Sequence, residues 1–187
     1  MKQNPSGRSI SVIPKAFTPV YEEQKWYALK TKPRAEKKLN ERLLEANIET
    51  YLPITKVWKQ WSDRRKQVEE PLFKGYIFVK IKPSNFISAL QQDGAVHFVK
   101  FGGNAASLDD EQVELIRKIV TNQMRFEVTD LKLEPGDKVE IIDGPLKGYK
   151  GEMLRDKSKN TIIIHIVQLE RTLSVDVPKA YLKRLEE

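Results

Sequence analysis

The chain has 187 residues, 40% hydrophobic and 32% charged, a composition that excludes a disordered polymer and fits one globular domain or two small ones. It holds no cysteine, which excludes disulfides and thiolate metal sites and suits a reducing compartment. Its formal net charge of +7, with a pI of about 9.4, points to acidic partners, nucleic acid among them.

Residues 1–24 contain Pro, Ser and Gly without a clear period and are expected to form a loose leader. "MKQNPSGRSISVIPKAF" lacks the continuous apolar core of a secretory signal, and no apolar run approaches the ~18–20 residues of a membrane span, so a cytoplasmic protein is expected. "KWYALKT" predicts a strand, bounded by Pro33. In "RAEKKLNERLLEANI", Ala35, Leu39, Leu43 and Ala46 recur at helical spacing and predict one apolar face. Two extended arms follow, "ETYLPITKVWKQWSD" and "RRKQVEEPLFKGYIFVKI", the second ending in a buried strand. "SNFISALQQ" predicts a short helix and "VHFVKF" another strand. "SLDDEQVELIRKIV" predicts a helix capped by Ser107 and Asp110, with Val113, Ile116 and Val120 on its apolar face. This order describes an α+β domain over 25–121, helices packed on an antiparallel sheet. The polar "NQMRFEVTD" then predicts a linker over 122–130.

Residues 131–187 have another rhythm. "KVEII", "GEMLRD", "TIIIHIV" and "TLSVDV" are short strands separated by Gly- and Asn-containing turns, the pattern of a small antiparallel all-β barrel. At about 57 residues it lies near the lower size limit for a domain that folds alone. Charge divides along the same boundary: residues 131–187 carry a net +1 and the remainder a net +6.

No catalytic constellation is legible, so an enzyme is not expected, nor a cofactor or a metal. His97 and His165 both lie in predicted strands without a partner motif. The loop "DGPLKGYKGE" (Asp143–Glu152) has the glycines of a phosphate cradle but no Lys-Ser/Thr pair after them, and a strand rather than a helix follows. It is a turn in which Gly144 and Gly148 supply positive φ or a close backbone approach.

Two features carry binding chemistry. In "KVWKQWSDRRKQ", Lys56, Lys59, Arg64, Arg65 and Lys66 surround Trp58 and Trp61, opposed by Asp63 alone. Cations contact phosphates and tryptophan stacks on an exposed base, whereas the alternative is a solvated hairpin whose tryptophans fold back on the sheet. The second feature is the set Trp26, Tyr27, Tyr51, Phe73, Tyr76 and Phe78. Strand alternation puts Tyr76 and Phe78 on one face and Ile77, Val79 and Ile81 on the other. If helices cover one face only, the other is an apolar patch for a protein partner; if both are covered, these aromatics are core.

With these motifs in this order, the chain resembles the NusG family of transcription factors. "KWYALKT" and "RRKQVEEPLFKGYIFVKI" look like its N-terminal NGN domain, and "LEPGDKVEIIDGPLKGYKGEM" looks like its KOW domain. "VWKQWSDRRKQVEEPLFKGYIFV" is most similar to the specialised UpxY-type antiterminators of capsular polysaccharide operons. The resemblance implies an NGN domain that binds the clamp helices of RNA polymerase, holds the clamp closed and suppresses pausing. By matching positions, Trp26, Tyr27, Phe73 and Tyr76 form or border that contact. The hairpin cations Lys56, Lys59, Arg64, Arg65 and Lys66, with Trp61, face upstream or non-template DNA or the opposite jaw. The KOW domain of general members meets Rho or a ribosomal protein through a Phe after "DGP"; here that position is Leu146, which lacks the ring's area and edge contacts, roughly 1 kcal/mol. Lys74 replaces the usual Pro of the "FPGY" motif. One specialised relative refolds its KOW domain into helices, but the β-branched density of "NTIIIHIVQ" predicts a barrel here. The alternative function, a ribosome-associated RNA-binding protein using the KOW barrel, calls for a more basic barrel than a net +1.

Overall fold

The computed structural model describes residues 23–61, 64–129, 135–154 and 161–185. The expected leader lies outside these residues except for Glu23 and Gln24, and so does Asp63. The N-terminal domain comprises β1 (Lys25–Thr31), α1 (Glu36–Glu45), β2 (Glu49–Tyr51), β3 (Ile54–Gln60), β4 (Arg65–Pro71), β5 (Tyr76–Ile81), α2 (Phe86–Leu90), β6 (Ala95–Phe98), β7 (Lys100–Phe101), β8 (Asn104–Ala105), β9 (Ser107–Leu108) and α3 (Asp110–Thr121). Its main sheet is antiparallel in the order β2-β5-β1-β6, with β9 also paired to β1; β3–β4 and β7–β8 are separate hairpins.

The β1–β5 register sets Trp26 opposite Lys80, Ala28 opposite Phe78 and Lys30 opposite Tyr76. These six residues therefore share one sheet face, while Tyr27, Leu29, Ile77 and Val79 share the other. Helix α1 covers the second face with Leu39 and Leu43, fully buried one turn apart, against Tyr27, Leu29, Ile77, Val79 and Phe98. It stops in a Schellman turn: Asn47 takes φ +58°, its amide donates to Leu44 O, and Ile48 N donates to Leu43 O while packing beside Leu43.

Helix α3 covers the first face. Its start differs from the expected one: Ser107 is held in the β9–β1 ladder, so the helix is capped two residues later, where the Gln112 side chain accepts the Asp109 amide at 3.2 Å. Asp110 Oδ1 then accepts from Trp26 Nε1 and from Lys80 Nζ, both at 2.8 Å, and the Arg117 guanidinium lies 4.4 Å over the Tyr51 ring. These contacts pin α3 to the sheet along its length.

The barrel strands are β10 (Phe126–Thr129), β11 (Pro135–Ile141), β12 (Lys150–Leu154), β13 (Thr161–Ile166), β14 (Arg171–Asp176) and β15 (Leu182–Arg184), in the order β10-β14-β13-β12-β11-β15. The fold is thus α+β followed by an all-β unit, with Val139, Ile141, Ile162, Ile164, Leu173 and Val175 in the second core. The stretch expected as a linker contains β10, whose Phe126 and Val128 pack inward while the strand pairs with β14. A second Schellman turn, with Gln123 at φ +51° and Met124 N donating to Ile119 O, carries the chain from α3 into that strand. In the loop between β11 and β12, Gly144 and Gly148 have φ of +80° and +87°. A Cβ on Gly144 would stand 2.8 Å from the Tyr181 ring, whereas one on Gly148 would meet open space.

Two outcomes are expected. Gly144→Ala should destabilise the chain by more than about 1 kcal/mol, and by more than Gly148→Ala, because only the first adds a clash to the backbone strain; urea midpoints measure the difference. The Lys80 hydrogen bond, followed by that from Trp26, outweighs burial and holds the Asp110 carboxyl below its ordinary value of 3.8. A depressed carboxyl stabilises above its unfolded pKa, and that contribution is lost as pH falls through the folded value. The midpoint difference between the parent and Asp110→Asn should therefore shrink as pH is lowered from 6 to 3, and high salt should weaken it.

Candidate partner and nucleic-acid surfaces

The residues expected to form one apolar patch separate in the structure. Tyr27 lies on the α1 face, buried edge-on against Phe86 with centroids 4.9 Å apart, and is core rather than a border of the patch. Strand alternation is the reason: its neighbour Trp26 points to the opposite side. Trp26 and Phe73 do belong to the expected face, yet each is only 4% exposed. Val113 and Ile116 of α3 join them, and Ile166 and Leu169 arrive from the barrel to complete the same cluster. The face is therefore covered, not open. At its far end Tyr76 is half-buried, with Lys30 Nζ 4.2 Å over its ring. The adjoining turn is set by Gly75, at φ +80°, whose amide donates to Glu36 Oε1 at 2.7 Å. Lys74, at the position where the resemblance leads to Pro, is exposed and pairs with Glu70 at 2.9 Å.

Leu146 is also buried, at 3% exposure, in a cluster that joins the barrel core to Leu115 and Ile119 of α3. It lines a groove of about 810 Å³ between that helix and the barrel, with Asp110, Glu111 and Glu114 on the helix, Lys147 on the loop and Lys150 at the start of β12. Leu115 and Ile119 were not among the expected apolar positions. The signal was present as a second i, i+4 pair beside the stripe of Val113, Ile116 and Val120.

The β3–β4 hairpin resolves the other alternative. Trp58 and Trp61 are 58% and 57% exposed and do not fold back on the sheet. The Arg65 guanidinium stands 5.0 Å from the Trp58 ring, which adds Trp58 to the residues expected there. Some of the cations are compensated: Lys56 faces Glu69 across the ladder, and Lys59 and Lys74 both pair with Glu70, whose carboxyl their hydrogen bonds lower. Towards the tip, Lys66 stands directly opposite Lys59, and Arg64, Arg65 and Lys66 have no ion-pair partner among the described residues. Like charges held side by side favour an anion between or beside them. His165 lies within 3.2 Å of the Thr172 hydroxyl, a cross-strand structural contact.

Comparison with known proteins follows this geometry. The family model described as transcription termination factor nusG matches residues 24–117. The transcription termination/antitermination protein NusG of Streptococcus pyogenes serotype M3 is 25% identical over 166 residues, covering 81% of this chain and 92% of that protein. The protein of the same description from Chlamydia pneumoniae is 25% identical over 156 residues, covering 76% and 85%. A solved structure of domain interaction in Thermotoga maritima NusG superposes with a TM-score of 0.51 at 21% identity, covering 88% of this chain and 98% of that one, a likeness of fold. With half of its length matched by the family model and both cores in place, the chain belongs to the NusG family of transcription termination and antitermination proteins.

Proposed function

We propose that this protein is a transcription elongation and antitermination factor that binds RNA polymerase through its N-terminal domain and suppresses pausing or termination at particular operons. The observation that carries this reading is the aromatic sheet face opposite α1. Its cluster is completed by Ile166 and Leu169 from the barrel, so the N-terminal domain holds an apolar surface that it does not finish by itself. Such a surface suits a protein partner once the barrel moves away, and Tyr76 and Lys30 at its open end offer a first point of contact. The hairpin tip supplies the complementary term. Exposed Trp58 and Trp61 beside Arg64, Arg65 and Lys66 suit a nucleic-acid strand held close to the polymerase, through phosphate contacts and base stacking. The likeness of the hairpin segment to specialised antiterminators favours action at surface-polysaccharide operons.

The test is capture of core RNA polymerase by the full chain, followed by in vitro elongation with and without Rho. Tyr76→Ala, a half-buried position, should leave the melting temperature nearly unchanged and weaken polymerase binding by roughly tenfold, the equivalent of ~1.4 kcal/mol. Unchanged affinity would exclude this face, and sedimentation with ribosomes in place of polymerase would favour an RNA-binding role. Replacing Trp58 and Trp61 by Ala should lower affinity for a single-stranded oligonucleotide by ~1–3 kcal/mol per stacked base. Arg65→Ala should reduce the slope of log affinity against log salt by about one unit, read by fluorescence anisotropy.

A further inference from the structure

Tyr76, half-buried at the end of the aromatic face, is delivered by the turn Phe73–Tyr76 between β4 and β5. Tyr76 N donates to Phe73 O at 3.2 Å, and Gly75, at φ +80°, is the third residue, which makes this a type II turn. Its second residue is Lys74. That position favours proline, whose ring sets φ in advance, whereas lysine leaves the backbone free to take other conformations. Local sequence therefore does not fix the turn by itself.

The fixing contact comes from α1. Glu36, the first residue of that helix, is buried at 7% exposure. Its Oε1 accepts the Gly75 amide at 2.7 Å, while Thr31 N donates to the carbonyl of the same glycine at 2.9 Å. Gly75 is thus clamped on both sides, by α1 and by β1. Leu39 and Leu43 of α1 are fully buried against the sheet, so the carboxylate projects from a rigid base. Among the described residues no cation pairs with Glu36; its charge rests on the Gly75 hydrogen bond and the positive end of the helix. A side chain needed only for packing would cost less if it were apolar. The turn also places Lys30: a Cβ on Gly75 would stand 3.2 Å from Lys30 Nζ, and that ammonium lies 4.2 Å over the Tyr76 ring. Displacing the turn displaces both groups.

We propose that Glu36 is the positioning residue of the partner contact. It holds the Phe73–Tyr76 turn so that Tyr76 and Lys30 meet RNA polymerase in one fixed arrangement. It does not touch the partner and acts through the Gly75 amide. A turn already fixed loses less conformational freedom on binding, so affinity depends on a buried carboxylate behind the surface. This inference rests on the polymerase reading.

The test compares the full-chain parent with Glu36→Ala, Glu36→Gln, Glu36→Asp, Lys74→Pro, and Glu36→Ala combined with Lys74→Pro. Three quantities are measured: Gly75 amide hydrogen exchange in the free chain, melting temperature, and affinity for core RNA polymerase. Glu36→Ala should speed Gly75 exchange and weaken polymerase binding, each by about tenfold, the scale of one lost hydrogen bond. Glu36→Gln, whose side-chain carbonyl can accept the same bond, should stay within about threefold of the parent in both. Adding Lys74→Pro to Glu36→Ala should recover at least about threefold in affinity, because proline sets the turn from within. Glu36→Asp keeps the charge at the helix start but shortens its reach; it should weaken binding in the same direction, and it replaces the alanine variant if that one does not fold. With a parent that binds, the inference is overturned if Glu36→Ala and Glu36→Asp bind as the parent does, if Glu36→Gln binds no better than Glu36→Ala, or if Lys74→Pro recovers nothing. A parent that does not bind polymerase overturns the polymerase reading itself, and this inference with it.

Discussion

The structure depends on the placement of one helix, α3, between two hydrophobic cores. Val113 and Ile116 fill the face of the N-terminal sheet, and Leu115 and Ile119 fill the mouth of the barrel. An amphipathic helix ordinarily buries one stripe and solvates the rest. Here Asp110, Glu111, Glu114, Arg117 and Lys118 occupy what remains, and two of these charges are engaged as pins to Trp26, Lys80 and Tyr51. Neither core can release the helix without exposing apolar area on the other side. The two units, different in composition and charge, therefore form one packed body.

The hairpin shows how charge is apportioned on the surface. Among the described residues, Glu69 and Glu70 are the acids that accompany the hairpin cations. Lys59, paired with Glu70, stands opposite Lys66 in the ladder, and Arg64, Arg65 and Lys66 have no ion-pair partner among the described residues. Cross-strand pairing of like charges is unfavourable by a few tenths of a kcal/mol to about 1 kcal/mol, a modest cost that a bound polyanion reverses. The barrel is nearly neutral over 131–187. Unpaired hairpin cations and the covered apolar face thereby lie on different parts of the chain.

Much of the fold was legible in residue periodicity. β1, α1, β5 and the four inner barrel strands lie where alternation and helical spacing predict them, and the two loop glycines have the positive φ their context requires. What escaped was tertiary. Strand alternation assigns Tyr76 and Phe78 to a face, and the resemblance adds Trp26 and Phe73, but neither identifies the cover supplied by Ile166 and Leu169, almost a hundred residues away from Phe73. Phe126 and Val128 alternate as strand residues do, but polar neighbours make a short edge strand resemble a linker. Ser107 has the chemistry of a helix cap, and only its pairing with Tyr27 explains why the helix waits for Asp109. Trp58 and Trp61 were ambiguous because exposure of a large aromatic is decided by what else is available to bury it.

The tight turn between Ile119 and Phe126 has a consequence for how the two cores meet. Surfaces joined by a few residues face one another at an effective concentration on the order of mM. Leu115 and Ile119 therefore meet the barrel core as an intramolecular pair. The turn that ends α3 thus makes this contact independent of how dilute the protein is.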